Sequence, residues 1–158
     1  MVDKEGLSSS FFPLADDFRS RDFPFYWVAR LNAKHCADVD FLLKPHGLSS
    51  SKWRILMILH EHGRLSMSDI SVHAVAKLST ITKIVYRMQE AGLLTTEVSP
   101  QDGRVTEVEI TEMGEAKLDI ARQVTGRLVE KAFADFSKQE VVYINQCLSK
   151  MFHNLNAI

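Results

Sequence analysis

The sequence predicts a mainly α-helical fold that carries a small β wing of two or three strands. Six segments of the 158-residue chain combine helical periodicity of apolar residues with capping or stop signals. Between the fourth and the fifth of them, two β-branched segments flank a polar turn. With 46% hydrophobic and 25% charged residues, the composition is that of an ordinary globular protein. We therefore expect folded structure beyond a loosely ordered arm, residues 1–21, in which Phe11 and Phe12 could dock elsewhere.

The first predicted helix begins near Asp22–Pro24, where an acidic cap and an early proline suit a helix start. It ends at about Leu43, because Pro45 disfavours helical geometry at the residue before it. Ser49 can cap a second helix, which continues until Gly63 stops it. The buried side of this second helix should carry Trp53, Leu56 and Leu59.

A short third helix, Met67 to about His73, follows the capping pattern of Ser66 and Asp69. The fourth helix, Leu78 to about Ala91, is amphipathic and ends at Gly92. Its apolar face carries Ile81, Ile84, Val85 and Met88. Its polar face carries Ser79, Thr82, Lys83, Tyr86 and Arg87.

Two predicted strands, Leu93–Val98 and Val105–Ile110, are rich in β-branched residues. The polar segment Ser99–Arg104 joins them and has the composition of a hairpin tip. In the second strand, apolar Val108 and Ile110 alternate with glutamates, as in a strand with one buried face.

The last two predicted helices are also amphipathic. Thr111, followed by Glu112 and Glu115, opens the fifth helix, and Ser137 and Glu140 form a capping box for the sixth. The apolar stripe of the fifth helix includes Leu118, Ala121, Leu128 and Ala132. The sixth helix has a seam of coiled-coil spacing, made of Val141, Ile144, Leu148, Met151 and Leu155. We expect both helices to bury these faces against the first helix and a partner chain.

Three short helices followed by a hairpin are the element order of a winged helix-turn-helix, in which one helix enters the DNA major groove. The Ser, Thr, Lys, Tyr and Arg side chains of the fourth helix suit phosphates and base edges. Arg104, at the hairpin tip, suits a narrow minor groove, and we expect Asp102 to hold its guanidinium by a charge-assisted bond. Each of these features by itself is also compatible with a solvated helix face or a protein-interaction module. The DNA-binding hypothesis therefore depends on the order in which the elements occur together.

Several motifs make the sequence similar to the MarR (multiple antibiotic resistance regulator) family of transcription factors, over about residues 25–158. The most specific is Pro100-Gln101-Asp102-Gly103-Arg104, followed by Ile110-Thr111-Glu112-Met113-Gly114. The others are Gly47-Leu48-Ser49 before Trp53, Ser79-Thr80-Ile81-Thr82-Lys83, and Met88-Gln89-Glu90-Ala91-Gly92-Leu93-Leu94. One departure is Lys77, where the family often has a Ser or Thr cap before its recognition helix.

The resemblance implies a symmetric dimer that binds palindromic double-stranded DNA, and we expect a repressor that is released by a small organic ligand such as an aromatic carboxylate. Two distant cysteines and the lack of a signal-peptide pattern predict a cytoplasmic location. The first helix (22–46) and the last two (115–158) would form the dimer, and residues 47–114 the DNA-binding lobe. The expected DNA contacts are Ser79, Thr80, Thr82, Lys83, Tyr86, Arg87, Asp102 and Arg104. No nucleophile–base pair or paired acids indicate an enzyme.

Many members of the family bind small anionic or phenolic ligands between the lobe and the dimerisation helices. Arg54 and Arg30 suit a carboxylate and Trp53 an aromatic ring, while His35 and His46 lie on segments that could line such a pocket. The alternative is that Trp53 is a core residue and that the charged groups make surface or interface contacts.

Redox sensing and metal binding are not expected. Peroxide-sensing relatives carry a cysteine near the start of the first helix, where this chain has Phe25. We expect Cys36 and Cys147 to be buried small hydrophobes. Zinc-sensing relatives use histidines early in the fifth helix, which this chain lacks, and His60 and His62 should point to different sides of a helix. No cofactor is expected, and no segment has the length and apolar character of a membrane span.

Overall fold

The computed structural model describes Pro13 and residues 16–156. The expected docking of Phe11 and Phe12 lies outside the described residues. Six α-helices and two short 3₁₀ turns are present in the described chain; Ser20–Asp22 precedes the first helix, and Lys44–His46 joins the first helix to the second. The helices are α1 Pro24–Leu43, α2 Ser50–His62, α3 Met67–His73, α4 Leu78–Glu90, α5 Glu112–Ala132 and α6 Lys138–Asn156. The strands are β1 Leu65–Ser66, β2 Leu94–Val98 and β3 Thr106–Ile110.

The strands form one antiparallel sheet in the order β1-β3-β2. β2 and β3 are the predicted hairpin, with Leu94 opposite Ile110 and Val98 opposite Thr106. β1 adds only two residues, pairing Leu65 with Val108. The prediction of a winged helix-turn-helix with a wing of two or three strands is therefore confirmed.

Side-chain caps begin most of the helices where the sequence predicts them. Ser49, Ser66, Thr111 and Ser137 each accept a hydrogen bond from a backbone N–H in the first turn of the helix that follows. The predicted acidic cap of α1 is wrong, because Asp22 belongs to the preceding 3₁₀ turn and Phe23 takes the cap position without a side-chain bond. Pro24, at the first position of α1, is as predicted.

The core lies where α1, α2, α4, α5 and the sheet meet. Leu43, Ile55, Leu56, Ile81, Val85, Met88, Val108 and Leu118 are buried there. Trp53 is only half-buried, at the margin of this core. The terminal helices are more exposed, and no residue of α6 is fully buried against the rest of the described chain. No helix in the part of the chain that the structure describes could cross a membrane.

Candidate DNA interface and effector cavity

The outer face of α4 is polar and carries unpaired positive charge. Ile81, Val85 and Met88 attach the helix to the core, which leaves Lys83, Arg87 and Tyr86 exposed on the opposite side. Ser79 and Thr80 are also exposed, and the Thr82 hydroxyl donates to the carbonyl of Leu78 at 2.9 Å. Among the described ion pairs, none includes Lys83 or Arg87. Their charges are therefore available to an anionic partner.

The two ends of α4 are set by different devices. Lys77 occupies the N-cap position without a side-chain bond, so the first turn of α4 lacks the Ser or Thr cap common in the family. At the other end, Gly92 has a φ of +73° and its N–H donates to the carbonyl of Gln89, while Leu93 N–H donates to the carbonyl of Met88. This pair of hydrogen bonds is a Schellman motif, which needs a residue with left-handed backbone geometry and so favours glycine.

The turn between α3 and α4 contains a strained residue. Val75 has a φ of +51°, a left-handed conformation that a β-branched side chain rarely adopts, and it is 87% exposed. The preceding residue, Ala74, accepts a hydrogen bond through its carbonyl from Nη1 of Arg54 on α2, at 3.1 Å. The turn that sets the position of α4 is thus tied to α2 by an arginine side chain.

The wing tip holds Arg104 by its backbone. The Asp102 carboxylate accepts from the backbone N–H of Arg104 at 2.9 Å, and Val105 N–H donates to the Asp102 carbonyl at 2.9 Å. The expected bond from Asp102 to the Arg104 guanidinium is wrong in the described structure, because the Asx turn takes the carboxylate. The guanidinium is consequently exposed and without an ion pair in the described chain.

Arg64, between α2 and β1, contacts three glutamates of the wing. Its Nη2 lies 2.8 Å from Oε2 of Glu109, and its Nη1 lies 3.0 Å from Glu97 and 3.6 Å from Glu107. Hydrogen bonding to Glu109 and the surrounding negative charge raise the pKa of Arg64. No sequence motif points to this residue. The only signal is three acids on a hairpin that has no cation of its own before the tip.

A cavity of about 290 Å³ lies between α1 and α2. Three of the expected ligand-binding residues, His35, Trp53 and Arg54, line it, together with Cys36, Ser50, Met57, Ile58 and Glu61. The Trp53 ring lies 6.2 Å from the His35 ring, and its buried Nε1 has no hydrogen-bond partner among the residues that the structure describes. A buried donor without an acceptor is costly, by about 1–3 kcal/mol, so this atom favours an acceptor from outside the chain.

Two other candidates do not line this cavity. The Arg30 guanidinium lies over the ring of Tyr26, 5.4 Å from its centroid. His46 accepts a bond through its carbonyl from Lys117 Nζ at 3.1 Å, which joins the 3₁₀ turn after α1 to α5. Arg54 is therefore the arginine that the fold brings to the cavity.

The cysteines and histidines make local contacts. Cys36 and Cys147 are half-buried free thiols, so the expectation that both are buried is wrong for the single chain. The Cys36 thiol lies 3.9 Å from Nη2 of Arg54, and Cys147 raises the pKa of Tyr143 through a hydrogen bond. No group of three potential metal ligands occurs within the described residues.

Comparisons with known proteins agree on one family. The MarR family model matches residues 48–106. The HTH-type transcriptional repressor IacR of Pseudomonas putida is 47% identical over 146 residues, covering 92% of this chain and 87% of the relative. A MarR-family regulator from Silicibacter pomeroyi superposes with a TM-score of 0.78 at 26% identity, covering 86% of this chain and 92% of that one. NadR in complex with 4-hydroxyphenylacetate has the same fold, with a TM-score of 0.70, 18% identity and coverage of 78% and 88%. The chain belongs to the MarR family of transcriptional regulators.

Proposed function

We propose that this protein is a homodimeric transcriptional repressor that binds a near-palindromic operator and releases it when a small aromatic carboxylate fills the cavity. The observation that carries the DNA-binding part is that Lys83 and Arg87 on α4 and Arg104 on the wing are exposed and form no ion pair within the described chain. The repressor IacR and the ligand complex of NadR support the regulatory part. Because such a protein works on the chromosome, its proposed location is the cytoplasm.

DNA binding would use both polar surfaces at once. The polar face of α4 would enter the major groove, where Lys83 and Arg87 could meet phosphates or guanine edges. Ser79, Thr80 and Tyr86 would add hydrogen bonds to phosphates or base edges. Arg104 would reach the adjacent minor groove, where narrow A/T-rich segments concentrate negative potential.

Dimerisation would place two such lobes on the two half-sites. In the single chain, α6 exposes 43% of Leu148, 61% of Phe152 and 55% of Leu155. On α1, Leu31 and Phe41 are 68% and 79% exposed. Exposed apolar faces of this extent favour burial in an interface. We propose that α1, α5 and α6 form the dimer and that residues 47–114 are the DNA-binding lobe.

The cavity chemistry suits an aromatic acid. Its volume is near the lower limit of about 300 Å³ for small-molecule sites, so the ligand would be small. Arg54 would pair with the carboxylate, Trp53 Nε1 would donate to a ligand oxygen, and His35 would contact the ring. Glu61, about two turns after Arg54 on α2, would repel a carboxylate and so orient the acid toward Arg54.

The release step would pass through Arg54. In the structure this guanidinium donates to the carbonyl of Ala74, just before the strained Val75. A ligand carboxylate would compete for the same donors, because charged acceptors form stronger bonds than a carbonyl. The freed turn would let α4 shift, and a dimer whose recognition helices lose their separation fits the operator less well. Such a ligand lowers DNA affinity only if it binds the off-DNA conformation better, typically by about 1–3 kcal/mol.

The test is selection of duplexes from a random library by the purified protein, followed by affinity measurement at several salt concentrations. We expect a near-palindrome with half-sites about 34–36 Å apart. With roughly three to five phosphates contacted per subunit, log affinity should fall against log salt with a slope of roughly −5 to −9. Failure to enrich any sequence, with a slope near zero, would refute the proposal and favour a protein-interaction module.

A further inference from the structure

Three glutamates lie on one face of the wing hairpin. The strand register puts Glu97 directly opposite Glu107, and Glu109 follows two residues later on the same face of β3. Like charges opposite each other destabilise a strand pair. They would also repel DNA phosphates if the wing approached a groove. The hairpin therefore needs positive charge from elsewhere.

Arg64 supplies that charge from a different part of the lobe. It follows the end of α2, and its guanidinium reaches both wing strands: Nε and Nη2 donate to Glu109 at 3.3 and 2.8 Å, and Nη1 donates to Glu97 at 3.0 Å. Nη1 also lies 3.6 Å from Glu107. Within the described chain, no other cation pairs with these carboxylates. One planar fork thus joins both strands to the end of α2.

The contacts continue from the strands to the wing tip. Glu107, the least exposed of the three acids, accepts a hydrogen bond from the hydroxyl of buried Ser99 at 2.8 Å. The same hydroxyl accepts from the backbone N–H of Gln101 at 3.4 Å, inside the tip that carries Arg104. A continuous series of polar contacts therefore runs from Arg64 through Glu107 and Ser99 to the loop that holds Arg104.

We propose that Arg64 is a positioning residue for DNA binding: it fixes the wing and neutralises its glutamates, so that Arg104 is presented to the groove, without itself touching DNA. This inference rests on the proposed function, since it assumes that the wing meets DNA. Its consequence for charge is unusual. Removing the acid Glu109 should weaken DNA binding, although by electrostatics alone the loss of a negative charge would strengthen it.

The DNA experiment uses a double-mutant cycle on the duplex that the wild-type protein enriches from a random library. Arg64→Gln should lower the affinity by about three- to tenfold, the range for a few exposed ion pairs. Glu109→Gln should also lower the affinity, and the double variant should be no worse than Arg64→Gln alone, because both changes break one unit. The control is Asp135→Asn, an exposed acid between α5 and α6 without an ion pair in the described chain, which should leave affinity unchanged.

If Arg64 instead binds a phosphate, the outcome is different. Glu109→Gln would then raise the affinity, because it removes a negative charge near the DNA, and its effect would add to that of Arg64→Gln. The salt slope would also become shallower by about 0.9 for each phosphate that the variant no longer neutralises. Either result would overturn the proposal.

A second measurement needs no DNA. In free protein, Arg64→Gln should speed amide hydrogen exchange across residues 94–110 at least threefold relative to wild type, with residues 50–62 unchanged. If the hairpin amides exchange equally fast in Arg64→Gln and in wild type, the positioning role is overturned, even if the variant binds DNA less tightly. The two proposals can also fail separately. If the wild-type protein selects no duplex but Arg64→Gln still speeds hydrogen exchange in the hairpin, the proposed function is refuted and the wing contact stands.

Discussion

Arg54 is the residue at which the cavity and the helix-turn-helix meet, so its replacement tests the regulatory mechanism directly. The change is Arg54→Gln, which removes the charge but keeps a polar side chain. It deletes the expected partner of a ligand carboxylate and the 3.1 Å bond to the Ala74 carbonyl. The matched control is Arg30→Gln, whose guanidinium lies on the Tyr26 ring outside the cavity lining.

The expected losses of ligand affinity and operator affinity follow from the two bonds that Arg54→Gln removes. A hydrogen bond to a charged group contributes about 1.5–3 kcal/mol, which corresponds to roughly 10- to 150-fold in ligand affinity. The bond to the Ala74 carbonyl has one charged partner rather than two and is partly exposed to solvent, so it contributes only about 1 kcal/mol. Its loss should lower operator affinity by about fivefold at most, because the turn then holds α4 less firmly.

The assay is calorimetric titration of a panel of aromatic acids that includes 4-hydroxyphenylacetate, with and without the selected duplex. For wild type, the duplex should weaken ligand binding by the same factor by which the ligand weakens DNA binding, as linkage requires. Arg54→Gln should abolish most of the ligand affinity, and Arg30→Gln should keep it. Loss of the ligand by Arg30→Gln together with its retention by Arg54→Gln would refute this role of Arg54. Independent binding of ligand and duplex would also refute it.

Three further predictions concern exposed residues. Arg104→Ala should reduce affinity mainly for duplexes with A/T-rich flanks, and equal losses on all flanks would show that Arg104 only touches phosphate. Val75→Gly should raise the free energy of unfolding by about 0.5–1 kcal/mol in thermal melts, because glycine adopts a φ of +51° without strain. The control Val72→Gly, within α3, should lower it by about 1 kcal/mol. Leu148→Lys should convert the dimer into a 17.9 kDa monomer or an unfolded chain in sedimentation, and an intact dimer would contradict the assigned interface.

The order and the ends of the elements could be predicted from the sequence because the interactions that set them are local. The Ser49, Ser66 and Thr111 caps each bond a backbone N–H three residues away. The apolar spacing of α4 likewise determined which side is buried and which carries Lys83 and Arg87. These features, with the wing motif, were enough to predict the fold and the family. The acidic cap of α1 failed because Phe23, rather than its acidic neighbour, ends the preceding turn.

Only the tertiary structure decided which of the scattered candidates come together. Arg54 reaches the carbonyl of Ala74 twenty residues later, and Arg64 reaches Glu109 forty-five residues later. Neither contact follows from a local sequence pattern, because the packing of the helices and the register of the strands bring these residues together. Asp102 is a local case that the sequence pattern left open, because its carboxylate had two possible donors in Arg104, the guanidinium and the backbone N–H. The tight turn at the tip decided in favour of the backbone N–H and left the guanidinium exposed.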